Sequence, residues 1–299
     1  MANILSTITP TLVAQEALEL LSAQFPLLSA FTTDFSKESV LYGQTVYSRI
    51  PTVQAVQDFD TTNGYVASTG TLTDVPVTIN KHRHTSVAFS DQELSSTNLN
   101  LIQQFATPLA FALGNDVMAS VAALFITGTY SNPAPIAGVA TATRVNSILA
   151  AKKALDTAGV PQNDRFFINS PSSELELLSD ASLVQSLYNV ANSTANAGLP
   201  KTHGFGFGTY TSLPSTSSMI AVALQKNAVV IAARAPELPS ANSSVMIPGN
   251  ITNVTDPRTG LTIQIRESYD MVKAKMQVTY AIQYGVAVGS AKNAVIITR

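Results

Sequence analysis

Residue types that commonly carry chemistry are sparse in this chain. It has three histidines, His82, His84 and His203, and no cysteine. His82 and His84 are two positions apart and would face the same side of a strand, where a metal could bind only with a third ligand from elsewhere. Because Lys81 and Arg83 flank them and oppose a cation, we interpret this stretch as a charged edge strand. The sequence therefore predicts no metal site and no cofactor.

Motifs of catalysis and nucleotide binding are also missing. The glycine run at 204–208 lacks the spacing of either phosphate-binding motif, and we interpret it as a closely packed turn. There is no G-x-S-x-G elbow and no H-E-x-x-H helix. Carboxylate pairs such as Glu174 and Glu176 could serve glycoside hydrolysis, but the chain has no Trp for a sugar platform. We predict no enzyme, with a small hydrolase that uses His203 as the alternative.

The composition predicts a protein that hides surface against copies of itself. Charged residues make up 12% of the 299 residues and hydrophobic residues 45%, whereas soluble domains carry roughly 25% charged residues. A membrane protein would also fit this deficit, but a span needs about 20 apolar residues, and the best stretch, 109–126, contains Asn115 and Asp116. We therefore expect a homo-oligomer and no membrane segment.

Charge is distributed unevenly along the chain. Residues 1–140 hold 4 basic and 10 acidic side chains, and residues 141–299 hold 13 basic and 9 acidic ones. Random scatter would explain this, and so would acidic parts of one subunit lying on basic parts of the next. No dense basic patch exists, so a role in reading DNA or RNA sequence is excluded.

The first half predicts a helical start, a hairpin and a long helix. Apolar patterning gives a helix over 11–23 and strands over 40–50, 75–79 and 85–89. The polar, Gly-containing stretch 57–73 predicts a hairpin tip that leans on a neighbouring subunit, since an isolated hairpin is marginal in water. A break at 91–96 precedes a helix over 97–125, in which Pro108 should produce a kink.

The second half predicts a compact α/β unit followed by strands. The patterns give helices over 146–158, 172–178 and 182–190, and a strand over 165–169. Further strands are predicted over 219–224, 227–232, 261–267, 273–284, 286–288 and 294–298.

Several segments, in their order along the chain, carry a resemblance to a known family. They are Ile8-Thr9-Pro10, Ala14-Gln15-Glu16-Ala17-Leu18, Tyr42-Gly43-Gln44-Thr45-Val46, Phe89-Ser90-Asp91-Gln92-Glu93-Leu94, Pro108-Leu109-Ala110, Leu113-Gly114-Asn115-Asp116, Leu224-Gln225-Lys226-Asn227-Ala228-Val229, Gly260-Leu261-Thr262-Ile263 and Ser268-Tyr269-Asp270. Together they resemble the major capsid proteins of tailed bacteriophages, in particular the coat-protein family of short-tailed Salmonella-type phages.

The resemblance implies an α+β architecture of the Hong Kong 97-type. It implies an N-terminal arm at 1–36, an extended E-loop at 37–95, a P-domain with a spine helix at 96–142, an A-domain at 143–235, and returning strands of both domains at 236–299. Family members often carry an insertion in the A-domain, and here only a short loop around 212–218 corresponds to it. Where relatives crosslink a Lys to an Asn, nothing marks Lys81 or Asn293 for that role, and we predict no crosslink.

The resemblance also implies a function and partners. The chain would assemble as hexamers and pentamers into an icosahedral head that encloses double-stranded DNA and contacts it non-specifically. Assembly would take place in the host cytoplasm with a scaffolding protein and a portal, and the product would be the virion. The shell of a bacterial nanocompartment with the same fold is the alternative.

Candidate intersubunit contacts follow from the hairpin and from the charges. The hairpin tip offers Asp58, Asp60, Asn63 and Tyr65, and the two short basic runs offer Lys81, Arg83, Lys152 and Lys153.

Overall fold

The computed structural model describes residues 26–34, 43–51, 56–62, 64–65, 72–96, 101–126, 128–130, 145–180, 201, 203–214, 219–236, 249–255 and 261–298. The helices predicted over 11–23 and 182–190 lie outside these residues, as does Asn63.

The described residues form an α+β fold of helices packed on mainly antiparallel sheets. The helices are α1 (Asp91–Ser96), α2 (Leu101–Ala122), α3 (Val145–Thr157) and α4 (Pro171–Leu178). The strands are β1 (Thr32–Asp34), β2 (Thr45–Pro51), β3 (Leu72–Thr78), β4 (Lys81–Ser90), β5 (Arg165–Asn169), β6 (Phe205–Thr209), β7 (Met219–Gln225), β8 (Val229–Arg234), β9 (Asn250–Thr255), β10 (Thr262–Asp270), β11 (Lys275–Val288) and β12 (Ala294–Thr298).

Strand β11 organises the larger sheet, whose order is β1-β8-β11-β10-β9. Strands β10 and β8 pair with successive parts of one edge of β11, and β4 pairs with its opposite edge. The pairing with β4 runs from Lys275 opposite Ser90 to Tyr284 opposite Lys81. Two strands were predicted here, over 273–284 and 286–288, but a single strand runs through Gly285. A Cβ at Gly285 would collide with the carbonyl oxygen of Thr78, so the missing side chain allows close contact with β3 rather than a strand break.

Helix α2, called the spine helix below, packs on one face of this sheet. Its buried residues Leu109, Leu113 and Val117 belong to the largest hydrophobic cluster, which also contains Tyr280 and Ile282 of β11. A three- and four-residue repeat of apolar side chains puts them on one helix face, as predicted. The helix passes through Pro108, and the predicted kink there stays a prediction.

The expected break at 91–96 was wrong, because these residues form the short helix α1. Ser90 and Glu93 make a capping box: Ser90 N donates to Glu93 Oε2 at 2.8 Å, and Glu93 N donates to Ser90 Oγ at 3.3 Å. These reciprocal bonds satisfy backbone donors at the helix start and make a helix of six residues possible.

The smaller sheet has the order β12-β7-β5-β6, and α3 and α4 cover one of its faces. The predicted glycine turn at 204–208 is wrong, because β6 occupies most of it and pairs in parallel with β5. At Gly208 a Cβ would collide with the side chain of Leu27. Glycine at this position therefore leaves room for Leu27, which lies in the first turn that the structure describes.

The predicted hairpin is confirmed in β2 and β3, which pair from Thr45 opposite Thr78 to Pro51 opposite Leu72. Its base lies on the larger sheet, where Val75, Val77 and Ile79 bury themselves against Val230 and Ala232 of β8. Beyond this base the two strands form a sheet of their own. The hairpin therefore extends from the body with a buried base and an exposed tip.

Candidate assembly surfaces

The hairpin tip presents aromatic and acidic side chains to solvent. Tyr65 is 94% exposed, and its ring centroid lies 4.9 Å from that of the exposed Phe59. Asp60 holds the turn, because its carboxylate accepts from Thr62 N at 2.9 Å and its carbonyl oxygen from Gly64 N at 2.7 Å. Asp58 is exposed beside it. No basic residue occurs between Arg49 and Lys81, so the tip is uniformly acidic.

A second exposed apolar site lies on the turn between β10 and β11. Met271 is 88% exposed and Val272 95%. The carboxylate of Asp270 accepts from the backbone N–H groups of Val272 and Lys273 at 2.9 and 3.2 Å. Tyr269 donates to Asp91 Oδ2 at 2.6 Å, which joins the turn to α1. Two adjacent apolar side chains are thus exposed to solvent on a turn that hydrogen bonds hold in place.

Lys81 and Arg83 have partners within the chain, where β4 and β11 cross the spine helix. Lys81 Nζ donates to Ser120 Oγ at 2.6 Å, and Ser120 Oγ lies 2.8 Å from Tyr284 Oη. Tyr284 in turn donates to Asp116 Oδ2 at 2.6 Å, and Arg83 Nε lies 3.4 Å from the same oxygen. We call these five residues the spine cluster.

Burial explains the electrostatics of the spine cluster. It raises the pKa of the Tyr284 phenol well above its ordinary value of 10.0, and the hydrogen bond to Asp116 raises it further. The phenol therefore stays protonated and donates to the carboxylate. Through their bonds to Ser120 and Asp116, Lys81 and Arg83 attach β4 to the spine helix. Their predicted contact with another subunit stays a prediction.

The sequence reasoning missed Asp116, Ser120 and Tyr284. A signal for the first two exists, because they are four residues apart in the mainly apolar second half of the helix and so share one face. Nothing local marks Tyr284, whose partners are more than 160 positions away.

The other predicted residues lie on separate elements. Lys152 and Lys153 lie on α3 beside the smaller sheet, half-buried and exposed respectively. His82 and His84 are exposed on β4, and His203 is exposed in the turn before β6 with φ 53°. Across the residues that the structure describes, no group of three or more His, Asp or Glu side chains could hold a metal ion.

Helices in the described part of the chain are too short or too polar to cross a membrane.

Known proteins similar to this chain were found by structure alone. No family model and no curated protein sequence matches it. The capsid protein of cyanophage P-SCSP1u superposes with a TM-score of 0.62 at 13% identity, over 90% of this chain and 86% of that one. The capsid of Ralstonia phage GP4 gives 0.58 at 14% identity with the same coverage. The mature capsid of bacteriophage PhiM1 gives 0.55 at 8% identity, over 90% and 85%.

The chain has a phage-capsid fold. This fold confirms the predicted α+β architecture of the Hong Kong 97-type. Of the predicted order of elements, the described residues contain the hairpin, the long helix, the α/β unit and the strands that follow it.

Proposed function

We propose that this chain is a major capsid protein, which assembles as hexamers and pentamers into the icosahedral head around the double-stranded DNA of a tailed phage. The observation that carries the proposal is the capsid fold itself, matched along 90% of the chain. The low share of charged residues supports it, since a shell subunit shares much of its surface with neighbours.

The five units implied by the resemblance belong to this proposal. They are the arm at 1–36, the E-loop at 37–95, the spine-helix unit at 96–142, the A-domain at 143–235 and the returning strands at 236–299. Pairing crosses these bounds, because β4 and β8 both join β11 in the larger sheet and β12 joins β7 in the smaller one. Each sheet is therefore built from separate stretches of the chain.

The hairpin tip is proposed to contact a neighbouring subunit through Asp58, Asp60, Asn63 and Tyr65. When another surface covers an exposed aromatic pair on a two-stranded hairpin, the burial of apolar area stabilises both the contact and the hairpin. Lys152 and Lys153 offer positive charge to such an acidic tip, and Lys81 and Arg83 remain candidates beside their internal bonds. Many modest contacts of this kind add up to a durable shell.

The remaining parts of the proposal concern the partners of the chain and the place of assembly. A scaffolding protein and a portal would act during assembly in the host cytoplasm, the packaged DNA would be contacted non-specifically, and the product would be the virion. The chain would act as a structural protein without catalysis.

Assembly of the purified full chain tests this function directly. Size-exclusion chromatography with light scattering and negative-stain microscopy would be done with and without a scaffolding partner. Closed shells, or pentamers and hexamers, support the proposal. A stable monomer under both conditions contradicts it.

A paired variant isolates the tip. Phe59→Ser with Tyr65→Ser should prevent assembly while leaving the thermal unfolding of the unassembled chain unchanged. The control, Phe59→Tyr with Tyr65→Phe, keeps both rings and should assemble. Normal shells from the serine variant would exclude the tip as a contact.

A further inference from the structure

Four polar side-chain atoms in the layer between the helices and the smaller sheet are buried without a hydrogen-bond partner. They are Oδ1 and Nδ2 of Asn169, Oγ of Ser147 and Oγ of Ser173. Asn169 and Ser147 are 0% exposed, and Ser173 is 1% exposed. Each such atom costs free energy when it leaves water unpaired, so four of them in one layer need an explanation.

The three residues lie at the same end of this layer. Asn169 ends β5, and its side chain shares a face with Phe167, which packs with Ile148 of α3 and Leu177 of α4. Ser147 precedes Ile148 in α3, and Ser173 lies one turn before Leu177 in α4. The polar side chains therefore converge where β5 ends.

The direction of α3 supports this placement. Asp156, near its carboxyl end, forms an ion pair of 2.7 Å with Arg165, where β5 begins. The helix therefore runs antiparallel to the strand, and its first turn with Ser147 lies level with Asn169. Val145 N, at the helix start, donates to Asp180 Oδ2 at 3.3 Å, just after α4.

Neighbouring backbone groups already have partners. Ser170 Oγ accepts from Ser173 N at 3.3 Å, and the carbonyl oxygen of Asn169 accepts from Tyr210 N at 2.9 Å. The side chains of Ser147, Asn169 and Ser173 thus remain as a set that combines an amide donor, an amide acceptor and two hydroxyl groups.

We propose that these three side chains form a binding site for an internal water molecule. Water both donates and accepts, so one molecule can pair with Asn169 Nδ2 and Oδ1 together. A metal cation would leave the amide donor unpaired. A halide would face Asn169 Oδ1 and would bring a buried charge into an apolar layer. Buried waters typically make about three hydrogen bonds to groups that lack protein partners.

The bound water would connect side chains of three elements, α3, α4 and β5. It would tie the first turns of α3 and α4 to the end of β5, and so fix how the two helices lie on the sheet. The site is independent of the proposed capsid function.

Serine-to-alanine variants of the full, unassembled chain test the site by urea unfolding. If water binds, Ser147→Ala and Ser173→Ala each lower the folding equilibrium constant by about fivefold. Because both serines act through one water, the double variant should lose less than the product of the two effects. Ser172→Ala, an exposed position in the same turn of α4, is the matched control and should change little.

The opposite result would overturn the proposal. If the layer is dry, removal of an unpaired hydroxyl raises stability in both variants. A high-resolution map supplies an independent readout: a water-sized peak within hydrogen-bond distance of the Asn169 amide supports the site. No peak there, or a peak that strengthens when bromide replaces chloride in the buffer, contradicts it.

Discussion

At the scale of single residues, Tyr284 is the link between the spine helix and the larger sheet. Its hydroxyl connects Ser120 to Asp116, and Lys81 and Arg83 of β4 attach to the two ends of this chain of bonds. Hydrogen bonds that involve charged groups are stronger than neutral ones, and a buried network loses stability when one member is removed.

Tyr284→Phe removes that hydroxyl and should lower the free energy of unfolding by about 1–3 kcal/mol, because Asp116 and Ser120 lose a buried partner. Urea unfolding of the full chain measures it. Tyr269→Phe is the control, since its hydroxyl also bonds a carboxylate at 2.6 Å but in an exposed pair; it should cost less. Equal losses in both variants would argue against the spine cluster as a stabilising unit.

We expect the free energy of unfolding to depend on pH through His82. Partial burial of this largely exposed imidazole lowers its pKa from the ordinary value of 6.5, and the charges of Arg266 and His84 lower it further. The unfolded state therefore binds a proton more readily, and this part of the stability is present above pH 6.5 and lost as the pH falls below it.

His82→Gln should flatten the fall in unfolding free energy below pH 6.5. Denaturant unfolding at a series of pH values measures the slope, and Ser86→Ala on the same strand is the control without a titrating group. An unchanged slope in the glutamine variant would refute this assignment.

At the scale of elements, the position of the hairpin depends on the packing of its base against the larger sheet. Gly285 of β11 lies directly against the Thr78 carbonyl, and Ile79 closes the base by bonds to Gly43 and Gln44 of 2.9 and 3.1 Å. Because a backbone oxygen cannot swing away as a side-chain end can, this contact tolerates no Cβ.

Gly285→Ala should lift the base of β3 and lower the unfolding free energy by about 1–3 kcal/mol, as overpacking typically does. Limited proteolysis should cut between β2 and β3 sooner than in the parent chain. Gly128→Ala, where an added Cβ meets open space, is the control. Cleavage at the parent rate in the Gly285 variant would show that the hairpin does not rely on this contact.

At the scale of the whole molecule, the most exposed large apolar side chains of the described residues lie at the hairpin tip and on the β10–β11 turn. The β10–β11 turn is held by the hydrogen bonds of Asp270 and by the bond between Tyr269 and Asp91, so a partner would bear little cost of ordering it. This favours surfaces that act between subunits over surfaces that stabilise the subunit itself.

Met271→Ser with Val272→Ser should reduce assembly while changing the unfolding free energy by less than about 0.5 kcal/mol, as surface substitutions usually do. Light scattering follows assembly, and denaturant unfolding follows the subunit. Lys273→Ser, in the same turn, is the control and should assemble normally. Full assembly of the double variant would remove this turn from the contacts between subunits.

Elements with a strong local pattern were determined by the sequence alone. The strands β5 and β12 begin and end where predicted, α3 differs by one residue at each end, and the spine helix ends three residues before the predicted end at 125. Their apolar repeat and their glycine or proline boundaries are local, so no distant contact is needed to predict them. The order of segments also carried the resemblance that predicted the capsid fold.

Tertiary structure decided the features that depend on distant partners. The polar strands β1 and β9 exist because β8 and β10 pair with them, and β6 is a strand because β5 lies beside it. Likewise, Lys81 and Arg83 looked like free surface charges until β11 brought Tyr284 beside them and the spine helix supplied Asp116 and Ser120. Strand pairing and buried polar networks join residues far apart in the chain, and one-dimensional patterns do not specify which residues meet.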